Sequence, residues 1–236
     1  MKKSNLKIFI LAGGFGTRLK SIISDVPKPM APILNKPFIS YVINNIREYY
    51  QDEIYLLTHH KSNVIEEYFK SDSKIIIIKE NNPLDTGGAV RNAILQLNLS
   101  VETKIMVING DTYIKPDLNQ FIALSDGQIN IITKKISDCS RYNTLSIYEN
   151  RIEKFNDKKE NSRNMHVNLG YYLFNDLYFF KDIIDDKFSL EKRLAQYSSK
   201  YHIKPFYYED IFIDIGTPED YEKINNGELV WMIIIV

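Results

Sequence analysis

The most constraining stretch of the sequence is an apolar run that leads directly into a glycine-rich loop. Residues Leu6–Leu11 are predicted to form a buried strand, and Gly13, Gly14 and Gly16 follow within a few positions. Glycine lets the backbone approach a ligand closely, and successive N–H groups in such a turn form an anion-binding concavity. Arg18 adds a planar cation that fits phosphate bidentately. The stretch therefore indicates a phosphate-binding loop at the end of the first strand.

The spacing of the glycines excludes two common phosphate loops. The G-x-x-x-x-G-K-[ST] pattern is absent, and a G-x-G-x-x-G pattern beginning at Gly14 would need glycine where the chain has Leu19. A plain turn with a surface arginine is the simpler alternative. The combination of Gly-Gly-x-Gly-Thr-Arg with Lys28 between Pro27 and Pro29 argues against it.

Alternating strand and helix patterns follow the loop. We predict strands at 6–12, 53–58, 74–79 and 104–108, and helices at 38–50, 62–70 (with Ser62 as N-cap) and 86–97. The second half is richer in strands, at 129–134, 143–148, 167–174, 202–208 and 211–215, with helices at 189–198 and 218–226 and a polar loop at 158–164. This order predicts an α/β protein with a largely parallel sheet covered on both faces, whose ligands lie at the carboxyl ends of the strands.

Composition limits the partners of the chain. Thirty basic and thirty acidic side chains give zero formal charge, which argues against a nucleic-acid-binding surface. The single cysteine, Cys139, cannot form an internal disulfide and is expected to be an inert thiol in a reducing cytoplasm. No signal-peptide cleavage site is evident near the first residues. The apolar segment 229–236 is far shorter than the roughly 20 residues that span a membrane, so an added strand, a homodimer contact and an untidy end all stay open for it.

Residues 11–19 together with 27–30 resemble the signature of the sugar-1-phosphate nucleotidyltransferases. These enzymes join a nucleoside triphosphate to a sugar 1-phosphate and release pyrophosphate. The resemblance implies that Lys28 binds phosphate and that Arg18 holds the leaving pyrophosphate, although an exposed loop is the usual place for a lysine. It also implies that the nucleotide is bound by Leu11, Ala12, Gly13, Gly14, Gly16 and Thr17.

Two aspartates are predicted to hold the metal ion that a triphosphate needs. Mg²⁺ is usually bound by one or two carboxylates together with substrate oxygens. Asp111 follows an apolar strand in Asn-Gly-Asp, and Asp214 lies in Asp-Ile-Gly-Thr-Pro. Both contexts resemble the metal motifs of the family, which favours metal binding over the capping of a neighbouring turn.

A second segment resembles the part of the family that borders the base. Residues 80–90 read Glu-Asn-Asn-Pro-Leu-Asp-Thr-Gly-Gly-Ala-Val, and Asp85 stands where the family has glycine. Because Asp tolerates left-handed backbone better than most residues, we expect the loop to keep its shape. The same reasoning applies to Asn143, which replaces glycine in the Arg-Tyr-Gly segment. The residues expected to contact the nucleotide are Glu80, Thr86, Gly87, Gly88 and Asp111. The two glycines can also serve close packing at the start of the helix.

Further motifs in the chain resemble the sugar-binding half of the family. Residues 152–158 resemble I-x-x-F-x-E-K, which makes Lys158 the lysine for the sugar 1-phosphate, with Lys154 and Lys159 as rivals. Glu191 resembles an acid that contacts sugar hydroxyls and could equally be an ordinary first-turn helix acid. The expected sugar-binding residues are Asn109, Gly110, Tyr142, Asp157, Asn168, Gly170 and Glu191.

The resemblance covers residues 1–226 and implies a Rossmann-like three-layer αβα sandwich with a mostly parallel mixed sheet. We expect one domain, with a nucleotide-binding half at about 1–125, a sugar-binding half at 126–226 and a tail at 227–236. Among short members, the D-glycero-α-D-manno-heptose 1-phosphate guanylyltransferases look most similar, which implies GTP, heptose 1-phosphate and Mg²⁺, and a role in surface polysaccharide (capsule or lipopolysaccharide) synthesis. Mannose-1-phosphate guanylyltransferases, short uridylyl- and thymidylyltransferases and a non-catalytic sugar-nucleotide-binding subunit are the alternatives.

Overall fold

The structure is a computed structural model that describes residues 5–16, 19, 22–158 and 163–226. Its strands are β1 Leu6–Leu11, β2 Pro32–Ile33, β3 Lys36–Pro37, β4 Ile54–Thr58, β5 Ile75–Lys79, β6 Lys104–Asn109, β7 Thr112–Tyr113, β8 Ile129–Asp138, β9 Thr144–Tyr148, β10 Arg151–Asn156, β11 Arg163–Phe174, β12 Ile203–Tyr207 and β13 Ile213–Asp214. Its helices are α1 Phe38–Arg47, α2 Ser62–Phe69, α3 Asp85–Gln96, α4 Leu118–Leu124, α5 Tyr178–Lys181, α6 Leu190–Tyr197 and α7 Pro218–Asn225, and a 3₁₀ turn covers Lys28–Met30.

The chain forms two compact units that alternate along the sequence. The first unit comprises Met1–Phe9, Pro83–Ile108 and Pro116–Glu209, and the second comprises Ile10–Asn82, Asn109–Lys115 and Asp210–Val236. The boundaries therefore fall inside β1 and β6. As a result, the segments that follow both strands belong to the second unit.

The first unit is built on a mixed sheet with β11 as its longest strand. The order of neighbours is β10-β9-β11-β6-β1, and β8 pairs with both β11 and β12. β11 runs antiparallel to β6, β8 and β9, whereas β12 is parallel to β8. Both faces of β11 are covered, so aromatic side chains on this strand are buried. The large aromatic side chains of this core include Phe121, Tyr171, Tyr172, Phe174 and Phe179.

A local irregularity interrupts β11 near its middle. The register with β8 pairs Asn168 with Thr133 and next pairs Tyr172 with Ile131, so β11 holds two more residues than its partner over this span. Gly170 lies inside the irregularity with φ +76°. Bulges of this kind bend a strand and redirect its side chains, which here sets the direction of Asn168.

The second unit carries the end of β1 beside two parallel strands. The order is β1-β4-β5, and β4 pairs with β5 from Ile54 opposite Ile75 onward. The backbone N–H of Ala12, just after β1, donates to the Leu57 carbonyl at 2.8 Å. α1 packs its apolar face into this core because its buried residues recur at helical spacing, including Phe38, Val42 and Ile46.

The expected fold class is confirmed as a mixed, mostly parallel sheet flanked by helices. Ser62 is not the N-cap of α2, because Lys61 takes that place with φ +53° and the Ser62 hydroxyl hydrogen-bonds Thr58 at 2.9 Å. The predicted loop at 158–164 is wrong at its end, since Arg163 already belongs to β11 and residues 159–162 lie outside the described chain. The division into halves at about residue 125 stays a prediction. Within the described residues, every helix is too short or too polar to cross a membrane.

Candidate active site

The glycine loop leaves β1 in the second unit and passes close to three neighbouring segments. A Cβ at Gly13 would lie 3.0 Å from the His59 backbone nitrogen and 3.2 Å from Glu80 Oε1. At Gly16, where φ is +56°, a Cβ would lie 2.9 Å from Lys28 Cβ. Gly14 has open space around it. Glycine at positions 13 and 16 thus allows close packing against His59, Glu80 and Lys28. The predicted close approach of this loop to a ligand stays a prediction.

Glu80 lies against this loop as a buried carboxylate, with only 7% of its surface exposed. It follows β5, and its backbone N–H donates to the Thr58 carbonyl at 2.8 Å. The His59 ring nitrogen Nδ1 lies 3.2 Å from the Glu80 carbonyl oxygen. The predicted nucleotide contacts Gly13 and Glu80 are therefore neighbours in the second unit.

Lys28 meets both predicted metal ligands. Its Nζ donates to Asp111 Oδ2 at 2.5 Å and lies 3.8 Å from Asp214 Oδ1. All three side chains are mostly enclosed, with exposed fractions of 16%, 33% and 20%. The lysine charge offsets the repulsion between two neighbouring carboxylates, which would otherwise be costly in a partly buried place. Three residues chosen separately from the sequence thus form one charged cluster.

A short antiparallel ribbon brings the two aspartates together. β7 follows directly after Asp111, and its Thr112 pairs with Asp214 of β13. The Ile215 backbone N–H also donates to the Asp111 carbonyl at 3.2 Å. At Gly216 a Cβ would lie only 2.7 Å from Asp214 Oδ2, so glycine is required to leave room for this carboxylate.

Gly110 packs against the end of β1. Its N–H donates to the Leu11 carbonyl at 3.0 Å, and a Cβ would lie 2.7 Å from the same oxygen. Asn109 ends β6 one residue earlier and is half-buried. The Gly110 hydrogen bond fixes the backbone just before Asp111 to the end of β1. The predicted contacts of Asn109 and Gly110 with sugar stay predictions.

The charged cluster fits a divalent cation that is completed by other ligands. Carboxylate oxygens suit Mg²⁺, which keeps waters and substrate oxygens in its shell. Among the described residues, His, Cys, Asp and Glu side chains form no group of three or more that could hold a metal. Asp111 and Asp214 could therefore hold such an ion only together with substrate oxygens or water.

In the first unit, the start of α3 is tied to the segment before α6. The N–H groups of Gly87 and Gly88 both donate to the Phe188 carbonyl, at 2.9 and 3.2 Å. In return the Leu190 N–H donates to Thr86 Oγ1 at 2.9 Å. A Cβ at Gly87 would lie 2.1 Å from the Phe188 ring. The close-packing role expected of these glycines is therefore present, while their nucleotide contact stays a prediction.

Asp85 adopts the left-handed backbone expected of it, with φ +64°. Its Oδ1 accepts a hydrogen bond from the Thr86 N–H at 2.8 Å, which stabilises the turn into α3. Asn143, the other glycine replacement, is not among the described residues with positive φ. Asp85 thus has a backbone conformation that glycine also adopts readily, whereas Asn143 does not have a positive φ. That both loops keep the shape they have in the family stays a prediction.

A polar network in the first unit joins three predicted sugar-binding residues, Asn168, Gly170 and Glu191. Asn168 Nδ2 donates to the Tyr172 hydroxyl at 2.6 Å and to Glu191 Oε1 at 3.3 Å, and the Tyr172 hydroxyl donates to the same carboxylate oxygen at 3.3 Å. Asn168 Oδ1 accepts from the Gly170 N–H at 2.9 Å inside the β11 irregularity. Glu191 lies in the first turn of α6, where the helix dipole also stabilises its negative charge.

The remaining predicted residues lie in turns, at strand ends or outside the described chain. Asp157 and Lys158 are exposed and follow β10 directly. Tyr142 is half-buried in a turn, where its N–H donates to the Cys139 carbonyl at 3.0 Å. Cys139 itself is buried, as an inert thiol would be. Thr17, Arg18 and the tail at 227–236 lie outside the described residues.

Sequence reasoning did not assign roles to several residues that complete these clusters. Tyr172 lies four residues after Asn168 in Asn-Leu-Gly-Tyr-Tyr, and this i, i+4 spacing on a strand is a signal that could have found it. Gly216 and Phe188 act through close packing, which no spacing rule reveals. Phe15, on the glycine loop, packs its ring against those of His59 and His60, with centroids 5.8 and 5.2 Å away.

Comparison with known proteins agrees with this arrangement. The nucleotidyl transferase family matches residues 7–229. D-glycero-α-D-manno-heptose 1-phosphate guanylyltransferase from Campylobacter jejuni is 37% identical over 94% of this chain and all of the relative. The Aneurinibacillus thermoaerophilus protein of the same name is 34% identical, with 92% and 96% covered. The crystal structure of HddC from Yersinia pseudotuberculosis complexed with GMP-PN superposes with a TM-score of 0.79 at 34% identity, covering 93% of this chain and 98% of that one.

The family match and the fold define an enzyme that transfers nucleotidyl groups. The chain belongs to the nucleotidyl transferase family.

Proposed function

We propose that the protein transfers a guanylyl group from GTP to a sugar 1-phosphate, with D-glycero-α-D-manno-heptose 1-phosphate as the favoured acceptor. The products would be GDP-heptose and pyrophosphate. The observation that carries the proposal is the cluster of Lys28, Asp111 and Asp214, because a cation and two carboxylates are what a metal-bound triphosphate requires. The two relatives that are 34% and 37% identical support the base and the sugar.

The chemistry asked of this chain is positioning and charge neutralisation. Lys28 would bind triphosphate oxygens, and Asp111 with Asp214 would hold Mg²⁺, which neutralises triphosphate charge when bound. The backbone from Leu11 to Gly16 would cradle the phosphates, with Thr17 and Arg18 completing the loop. An oxygen of the sugar phosphate attacks the α-phosphorus in line, so no side chain has to act as nucleophile.

The other predicted residues divide between nucleotide and sugar. Glu80, with Thr86, Gly87 and Gly88 at the start of α3, is proposed to border the nucleoside. Glu191 and Asn168 would hydrogen-bond sugar hydroxyls, which suits a network that already has a carboxylate oxygen and an amide. The remaining proposed sugar contacts are Asn109, Gly110, Tyr142, Asp157 and Gly170, and Lys158 is proposed for the sugar phosphate.

We place this activity in a reducing cytoplasm and in the supply of precursors for surface polysaccharide. The buried single cysteine supports a reducing compartment, since Cys139 has no partner cysteine in the sequence. One domain with two functional halves and a homodimer remain proposals for the organisation of the chain.

The test is pyrophosphate release from a matrix of four nucleoside triphosphates against heptose, mannose, glucose and N-acetylhexosamine 1-phosphates. Highest kcat/KM for GTP with the heptose phosphate is expected. A preference for UTP or dTTP would defeat the guanylyl assignment, and a preference for mannose 1-phosphate would change the acceptor. Release in none of the wells would favour a non-catalytic binding protein.

A further inference from the structure

Lys28 occupies the place that a divalent cation would need. Its Nζ lies 2.5 Å from Asp111 Oδ2 and 3.8 Å from Asp214 Oδ1. A Mg²⁺ ion binds carboxylate oxygens at about 2.0–2.1 Å, so an ion on Asp111 Oδ2 would share that oxygen with an ammonium group. Two cations so close repel each other strongly in a partly buried place.

The side chain of Lys28 can change this arrangement while its backbone stays in place. Its backbone is held in the 3₁₀ turn, where the Lys28 carbonyl accepts from the Ala31 N–H at 3.0 Å and the Met30 N–H donates to Pro27 at 2.8 Å. The Lys28 stem lies directly beneath the glycine loop, because a Cβ at Gly16 would come within 2.9 Å of Lys28 Cβ. Rotation of the four-carbon stem can therefore carry the ammonium from the carboxylates toward an anion on the loop.

We propose that Lys28 neutralises Asp111 and Asp214 until a triphosphate draws it away, so that the divalent cation enters with the nucleotide. This inference rests on the proposed function, because it takes the two aspartates as metal ligands. A triphosphate offers Lys28 several anionic oxygens in exchange for the carboxylates it gives up. Without substrate, Lys28 offsets one of the two carboxylate charges and repels a second cation, which disfavours metal binding until a nucleotide is present.

The test measures Mn²⁺ binding to the whole protein without nucleotide, from the electron paramagnetic resonance signal of the free ion. Lys28→Gln is expected to bind Mn²⁺ about tenfold more tightly than the wild type or better, because a neighbouring like charge is removed. Lys28→Arg keeps the charge and is expected to bind as weakly as the wild type. Lys115→Gln, which removes a lysine paired with Glu48 at 3.5 Å, is the charge control.

The variants separate the failure of this inference from the failure of the metal assignment. Adding Asp111→Asn to Lys28→Gln is expected to abolish the gain. If Lys28→Gln binds Mn²⁺ no more tightly than the wild type, the exchange is wrong. If the double variant retains the tight binding, Asp111 is not a ligand and the proposed metal site fails instead. Lys28→Met repeats the comparison should the glutamine variant not fold.

Discussion

Replacing Gly87 with alanine tests the link between α3 and the segment before α6. The new Cβ would lie 2.1 Å from Phe188 Cε2 and 2.4 Å from Cδ2. To reach a normal carbon–carbon separation of about 3.5 Å, the ring has to withdraw by roughly 1.4 Å. Phe188 is 6% exposed, and the Arg193 guanidinium lies 5.2 Å from its ring centroid, so the ring has little room to move.

Two effects of opposite sign decide the magnitude. Overpacking a buried position costs about 1–3 kcal/mol, whereas alanine gains up to about 1 kcal/mol over glycine in a helix. The clash dominates, and we expect Gly87→Ala to lower the free energy of unfolding by about 1–2 kcal/mol. For a chain of this length that corresponds to a fall in Tm of roughly 2–8 °C.

The assay is thermal and urea unfolding followed by far-ultraviolet circular dichroism. Gly14→Ala is the matched control, because nothing lies within 4 Å of its new Cβ, and a change within about 0.5 kcal/mol is expected. In a Phe188→Ala background, Gly87→Ala should cost nothing, which a double-mutant cycle reports as coupling. Equal loss in the Gly14 and Gly87 variants, or no coupling to Phe188, would refute the packing argument.

Three further predictions concern the charged cluster, the polar network and pH. Asp111→Ala and Lys28→Ala should each lower kcat by roughly 10²–10³-fold in the pyrophosphate assay. The control Lys36→Ala, which changes an exposed lysine, should leave kcat unchanged. Near-normal turnover in the Asp111 or the Lys28 variant would contradict the assigned roles. Glu191→Gln should reduce kcat/KM for the sugar phosphate by roughly 10–100-fold, which is the scale of one charge-assisted hydrogen bond, and should leave the KM for GTP unaltered. An equal rise in both KM values would indicate a purely structural role. Glu102→Gln is the control variant. Burial and the nearby Lys135 lower the pKa of His166 below its ordinary 6.5, so the unfolded chain binds the proton first and stability falls as pH drops below about 6.5. His166→Gln should flatten that loss between pH 7.5 and 5.5, measured as the urea unfolding midpoint at each pH. Identical pH slopes in the variant and the wild type would contradict the assignment to His166.

Much of the fold was predictable because its strands are apolar runs. β1, β4, β5 and β6 were found within a residue or two of their ends, since continuous Ile, Leu and Val mark strands buried on both faces. The start of β8 and the end of β11 agree with the prediction, whereas the C-terminal end of β8 and the N-terminal end of β11 do not. There the two strands continue beyond the core as a polar ribbon, in which Arg163 pairs with Asp138. Backbone hydrogen bonds to an antiparallel partner hold that extension, and they leave no trace in hydrophobicity.

Local signals explain two other differences. α4 was missed although Asp117 and Gln120 form a recognisable start, in which Asp117 Oδ1 accepts from the Gln120 N–H at 3.0 Å. β10 was treated as a motif and not as a strand; it follows a turn in which Glu149 and Asn150 both have positive φ. Two successive residues with positive φ are typical of a hairpin turn. Glu is uncommon at such a position, so the sequence does not mark this turn clearly.

The candidate site was predictable where single residue types carry the chemistry. Lys28, Asp111 and Asp214 were each chosen from a motif, and the structure brings them into one cluster. The sequence could not show that Lys28 would contact the carboxylates themselves, because an ion pair between distant segments depends on the completed fold. It also could not show that the Gly87 and Gly88 N–H groups serve the Phe188 carbonyl.

The ribbon between β7 and β13 has a consequence for how the protein is made. About a hundred residues separate Asp111 from Asp214, which a ribosome working at about 5–20 residues per second adds in roughly 5 to 20 s. During that interval the nascent chain holds Lys28 and Asp111 but lacks both Asp214 and the strand that fixes it. Because the proposed metal site needs Asp214, the proposed activity can begin only after β13 has left the ribosome. Incomplete chains that stop before β13 would carry the glycine loop without that second carboxylate.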